Sequence, residues 1–212
     1  MSSLKLTVME IVIRFYRFMN KFIFAAALIF SVAVTPAWAA TYKIDLDHTA
    51  VSFKVRHLFS NVIGIFKKFE GAFDYEPGKP EIWKVNAAVQ AASIDTNVEQ
   101  RDNHLRSKDF FDVENFPTLT FVSTSVTDVT GESAKLNGNL TIHGVEKPVV
   151  FDLTINGAGK DPWGNMRASF SASTKINRKD FGLTWNKALE SGQLLVGDEI
   201  TITLEVEGLL QE

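Results

Sequence analysis

The chain has no cysteine among its 212 residues. That excludes disulfides, thiolate-held metals, a cysteine nucleophile and a lipid-modified cysteine, so stability must come from the core. Charge of one sign is also missing: 22 basic residues stand against 25 acidic ones, and the basic ones form no stripe. Nucleic-acid binding depends on neutralising phosphates, so no nucleic acid is expected as a partner. No serine sits in a Gly-x-Ser-x-Gly turn, and no glycine-rich loop leads from a strand into a helix. Neither a hydrolase elbow nor a phosphate cradle is therefore present. The four histidines, His48, His57, His104 and His143, stand in no metal-ligand spacing, so no metal is expected. An uninterrupted apolar run of about 20 residues, the length of a membrane span, is absent too, and no stable membrane insertion is expected.

What the N-terminus does carry is a shorter run with the marks of an export signal. Arg14, Arg17 and Lys21 precede the 13 largely apolar residues from Phe22 to Val34, and Ala37-Trp38-Ala39 follows. Positive charge, short apolar stretch and small-x-small residues in that order predict a signal peptide over residues 1–39, cut before Ala40. Met19 begins a complete signal by itself, so it is an alternative translation start. The leader's four basic residues against Glu10 give it +3; with −3 for the whole, residues 40–212 carry −6. A location outside the cytoplasm, in the periplasm, is expected. The remaining 170 or so residues suit one domain with one sizeable core.

Period-two alternation dominates that domain. Phe53, Val55 and His57 share one parity, and so do Phe69, Gly71, Phe73 and Tyr75. Val85, Ala87 and Val89 continue the pattern, as do Leu119 and Phe121, then Leu140 and Ile142. Val149, Phe151, Leu153 and Ile155 follow, then Ala168, Phe170 and Ala172, and finally Ile200, Ile202, Leu204 and Val206. Such alternation marks strands with one apolar and one wet face. Turn residues separate them at Glu76–Pro80, Thr130-Gly131-Glu132 and Asp161–Asn165. Asn137-Gly138 reads as a glycine bulge within a strand. Two short helices are expected: one near Leu58–Phe66, from Leu58, Val62 and Phe66, and one opened by a Thr96/Glu99 capping box. The fold class is all-β: about eight antiparallel strands, closed or stacked so that the apolar face is buried. The apolar parity mixes large rings with small residues such as Gly71, Ala87 and Ala172. It suits either a filled core or a barrel with room for a guest.

Several longer stretches resemble a known family. They are YKIDLDHTAVSFKVRHL, GIFKKFEGAFDY, SIDTN, RDNHLRSKDFFDVENFPTLTF, LNGNLTIHGVEKPVVFDL and INRKDFGL. In this order and spacing they are similar to the YceI-like family, from about Tyr42 to the last strand. The resemblance implies an extended, lipocalin-like, eight-stranded antiparallel β-barrel with short helices at one end. It implies a periplasmic binding protein rather than an enzyme, holding a polyisoprenoid or isoprenoid-quinone tail for transport, storage or buffering. No cofactor is implied beyond such a lipid, and a homodimer is compatible with it. The residues expected to line the ligand space are Phe53, Val55, His57, Phe69 and Phe73, then Val85, Ala87 and Phe121, then Phe151, Leu153, Phe170 and Ala172.

Polar residues cluster in two places. Arg101, Asp102 and His104 lie on the second expected helix, with Leu105, Phe110 and Phe111 as the apolar anchors beside them. Arg178 and Asp180 follow a strand, where an arginine–carboxylate pair would pin a turn and Gly182 would supply an unusual backbone angle. These five polar residues are candidates for a mouth that receives a head group; helix-face ion pairs and turn pinning are the plainer roles. The rival readings are an enzyme acting on an isoprenoid lipid through His57, His104 or Asp102, and a stress-related binder of other amphiphiles.

Overall fold

The computed structural model describes residues 40–211 and, before them, Arg14. The export signal expected over residues 1–39 lies outside the described residues. The chain divides into two units, Met1–Trp38 and Ala39–Glu212, and the barrel belongs wholly to the second.

The strands are β1 (Thr41–Ile44), β2 (Ala50–His57), β3 (Ser60–Phe66), β4 (Phe69–Asp74), β5 (Lys84–Gln90) and β6 (Ile94–Asp95). After one helix, α1 (Glu99–Arg106), come β7 (Thr118–Thr130), β8 (Ser133–Ile142), β9 (Val145–Lys160), β10 (Met166–Asn177) and β11 (Val196–Leu210). All pairings are antiparallel, and the alternation expected from sequence sets their faces. The first six strands behave as three broken staves. β1 and β2 both pair with β11, β3 and β4 continue one another, and β5 and β6 are joined through a 3-10 turn at Ala91–Ser93. Counted this way, eight staves run up and down in chain order. The ring closes where β1 meets β11 at Tyr42↔Leu210, Lys43↔Leu209 and Ile44↔Gly208. The eight-stranded antiparallel barrel implied by the family resemblance is the fold; the alternation alone leaves closed and stacked sheets both open.

Three local expectations need correction. Residues 60–66 are strand, not helix. Leu58, Val62 and Phe66 recur at helical spacing, but Val62, Gly64 and Phe66 also alternate, and pairing with β2 from Ser60 to Phe66 decides between the two periods. α1 begins at Glu99 with Val98 as its N-cap and no side-chain cap. Thr96 is not that cap; its backbone N–H donates to Asp102 Oδ1 at 2.9 Å. The bulge near Asn137-Gly138 belongs to the neighbouring strand. Ser123 faces Gly138 and Ser125 faces Asn137, so Thr124 of β7 is the extra residue. Gly138 is needed for another reason: the Phe121 ring lies across it, where a Cβ would collide.

The barrel interior has two packed ends. At one, Tyr42, Phe73, Tyr75, Trp83 and Phe170 form an aromatic base, with ring centroids 5.3 Å apart for Tyr42–Phe73 and Phe73–Phe170 and 4.9 Å for Tyr75–Phe170. At the other, Phe66, Ile94, Leu140, Ile142, Phe181 and Leu183 pack with Leu105 and Phe111 of the α1 region, forming a plug. Outside the base, Arg167 of β10 binds three carboxylates. Its Nη1 donates to Asp45 at 2.6 Å and to Glu207, and its Nε donates to Asp161 at 2.8 Å.

Arg167 holds the carboxyls of Asp161 and Asp45 below the ordinary aspartate range. Depressed carboxylate values stabilise the fold at neutral pH; that gain is present above about pH 4 and is lost as pH falls through the folded-state values. Arg167→Gln should therefore lower the melting temperature at neutral pH and flatten its fall between about pH 5 and pH 2. Parallel acid curves for wild type and variant would contradict the role given to this network.

Candidate functional site

Between the base and the plug lies a cavity of about 180 Å³ with an almost wholly apolar lining. Its wall draws on nearly every stave. β2 and β4 supply Phe53, Phe69 and Phe73; β5 and β7 supply Val85, Ala87 and Phe121. Phe151 and Leu153 come from β9, Phe170 and Ala172 from β10, and Ile202, Leu204 and Val206 from β11. The period-two reading thus brings ten of its twelve expected lining residues to one space, because closure turns every apolar parity inward.

Val55 and His57 do not reach it. They share the parity of Phe53 but stand two and four residues further along β2, about 7 and 13 Å at strand rise. The hairpin of β2 and β3 carries them beyond the Phe53–Phe66 ring pair, whose centroids are 5.8 Å apart. Sequence reasoning missed Tyr75, Trp83, Leu136 and Phe66 as lining residues. Trp83 and Leu136 extend the alternation of Val85 and Leu140 by one or two steps backward, so the signal was there. Tyr75 is on the parity of Phe73. Phe66 was hidden by its assignment to a helix.

The polar residues expected at a mouth are structural ties. Arg101 donates from Nε to Thr96 Oγ1 and from Nη2 to Thr96 O, both at 2.7 Å. The buried Asp102 accepts from the backbone and hydroxyl of the same threonine. His104 stands edge-on to Phe110 and Trp185, at 5.0 and 4.8 Å, and bonds Asp109 at 2.8 Å. Together they fasten the plug, and none of them lines the cavity. The expected Arg178–Asp180 pair is absent. Arg178 is buried and donates to the carbonyls of Gly197, Leu183 and Trp185, and its carboxylate partner is Asp198 at 3.2 Å. Asp180 is exposed. Turn geometry decides this: Gly182, at φ +79°, reverses the chain so that its carbonyls converge on the guanidinium.

Polar chemistry inside the cavity is sparse. The Trp83 indole N–H is satisfied by Glu76 O at 2.8 Å. Burial pushes the Tyr75 phenol above its ordinary value, so it stays neutral near pH 7. Such a space can hold an apolar guest, with little to polarise or protonate one.

A model of the YceI-like domain matches residues 42–208. The chain belongs to the YceI-like family. The Salmonella arizonae protein YceI is 41% identical over 190 residues, covering 88% of this chain and 95% of its own. Among solved structures, the Campylobacter jejuni YceI protein superposes with a TM-score of 0.65 at 35% identity, over 75% of this chain and 91% of its own. A polyisoprenoid binding domain from Saccharophagus degradans, implicated in plant cell wall breakdown, shares the fold at a TM-score of 0.61 and 13% identity, over 82% of this chain and all of its own.

If Arg178 is a structural pin, Arg178→Met should leave the buried carbonyl of Leu183 and the part-buried carbonyls of Gly197 and Trp185 without their donor. Asp198 keeps Lys179 as a partner, so the cost is that of the orphaned carbonyls, about 1–3 kcal/mol for a buried one. Urea denaturation measures it; a loss below about 1 kcal/mol, the scale of a surface pair, would refute the pin.

Proposed function

We propose that this protein holds the tail of an isoprenoid lipid in its barrel and serves as a carrier, buffer or store for it. The observation that carries the reading is the apolar cavity enclosed between the aromatic base and the plug. A dry cavity of about 150 Å³ accepts a benzene ring. By that measure 180 Å³ takes one five-carbon isoprene unit and part of a second. Burying five carbons yields about 4 kcal/mol gross at about 0.8 kcal/mol per CH₂, less the cost of ordering the chain. A longer tail needs more room, and Phe53, Phe69 and Phe121 are the rings to yield it: they line the cavity and are only half-buried. Rotamer changes of this kind cost little beside the burial gained. The polyisoprenoid named for the Saccharophagus degradans neighbour supports the class of guest. Glu70 and Asp74 stand on the lining, but almost all of the surface it exposes to the cavity is apolar, which favours holding a lipid over transforming one.

Export completes the proposal. A carrier of water-insoluble tails between membranes works in the periplasm, and the leader ending at Ala39 suits that location. Protein from an osmotic-shock fraction should start at Ala40; soluble protein that retains the leader would contradict this.

Ala172 tests the cavity. It is buried, lies mid-strand opposite Leu153 and Leu204, and faces the open space. In Ala172→Trp the indole occupies ligand space. Melting should stay near that of wild type while bound lipid is lost. Overpacking of a solid core costs about 1–3 kcal/mol or more. A marked fall in melting temperature, in a protein that never held lipid, would reject the proposal.

A further inference from the structure

The barrel wall is not hydrogen-bonded all the way round. β1 meets β4 between Thr41↔Asp74 and Lys43↔Ala72, and β2 meets β3 from Val51↔Phe66 onward. Between these ladders, residues 44–50 face residues 67–71. The backbone there turns to its other neighbours: Asp45 N–H donates to Glu207 O, Lys67 N–H to Ser93 O, and Lys68 O accepts from Gln90 N–H. Seven residues stand against five, so the longer segment loops outward and leaves Leu46 57% exposed. Ile44, Thr49, Val51, Phe69 and Glu70, on the two rims of this gap, also line the cavity. Side chains rather than backbone close the wall here.

Beside the gap, the outer face of the β2–β3 hairpin is unusually apolar. Ile63 and Ile65 point away from the barrel, 66% and 40% exposed, and Phe59 at the hairpin tip is 89% exposed. Across the β2 edge, Lys54 faces Ile63 and Ser52 faces Ile65; across the β6 edge, Ile65 faces Asp95, whose charge is taken up by Lys67. Arg56 lies further along the same face. Among the described residues neither Lys54 nor Arg56 has a carboxylate partner, whereas nearby Lys67 pairs with Asp95 and Lys175 with Glu199. The acidic groups nearby are Asp95 and Glu199, each paired with a lysine, and Glu70 and Asp47 on the rims of the gap.

We propose that this face docks on an anionic phospholipid bilayer and holds the gap against it, so that a lipid tail passes sideways between the broken staves into the cavity. The inference rests on the lipid-binding reading. Exposed apolar side chains interleaved with unpaired basic ones match the acyl and phosphate layers of such a surface. They match a second copy poorly, because a two-fold contact would set Lys54 and Arg56 against their own copies. The negative net charge of residues 40–212 does not prevent docking, since screening confines it to about 8–10 Å.

Flotation with vesicles of phosphatidylethanolamine and phosphatidylglycerol, against phosphatidylcholine alone, measures docking without any ligand. Each basic side chain near an anionic surface contributes about fivefold. Lys54→Gln with Arg56→Gln should weaken binding to the anionic vesicles on the order of 25-fold, and Phe59→Ser with Ile63→Ser should weaken it comparably. Both pairs should slow uptake of geranylgeraniol from vesicles and leave its uptake from detergent micelles, and the melting temperature, unchanged. Variants that float and load like wild type would overturn the docking face. So would a wild-type dimer, seen by analytical ultracentrifugation, that Phe59→Ser dissociates. A wild type that takes up no geranylgeraniol from micelles contradicts the lipid-binding reading instead, and flotation then judges the docking face by itself.

Discussion

β11 is the strand on which closure depends. One of its edges pairs with β10 along eleven residues, from Arg167↔Leu209 to Asn177↔Glu199. Its other edge is shared by β1 and β2, which must both fit against it. That division forces the chain out of the wall at residues 45–49, and it is tied back by Asp45 and Thr49, both bonded to Glu207. Glu207 in turn meets Arg167, which gathers Asp45 and Asp161. Closure, the ion network beneath the base and the gap in the wall are thus consequences of one strand serving two partners.

Closure explains why the interior is neither solid nor wide. Eight staves make a barrel just large enough for side chains to fill. Here rings fill both ends, and small residues on inward parity leave the middle open. Ala87 and Ala172 keep their space free, whereas the room beside Gly71 is taken by the Ile44 side chain. Gly64 and Gly138 are used differently: the rings of Phe53 and Phe121 fold across them, which sets how far each ring leans into the cavity. Smallness at an inward position therefore has two outcomes, a void or a seat for a neighbour's ring.

That distinction marks what could be read in advance. Strand faces were legible because burial on one side enforces a period of two along every stave, and ten expected lining residues fell into place by parity alone. Parity says nothing of depth, so Val55 and His57 were placed in a cavity that the hairpin carries them past. The Leu58–Phe66 segment satisfied two periods at once, and only pairing with β2 resolved it. The polar motifs were seen as clusters in sequence, but many of their partners are backbone carbonyls: that of Thr96 for Arg101, and those of residues 183, 185 and 197 for Arg178. Carbonyls have no sequence signature, and a buried arginine that satisfies them reads, in sequence, like one awaiting a ligand. The Thr96–Asp102 tie shows the same limit, since a threonine three residues before a glutamate is also what a capping box looks like.

If the space between base and plug holds an apolar chain, that chain should travel with the protein. The most direct measurement is native mass spectrometry of the protein purified from its own host, with solvent extraction and identification of whatever accompanies it. The expected result is a stoichiometric adduct that survives aqueous purification, leaves with organic solvent and carries an isoprenoid tail. A protein that arrives without lipid, and that also takes none from micelles, would contradict the claim.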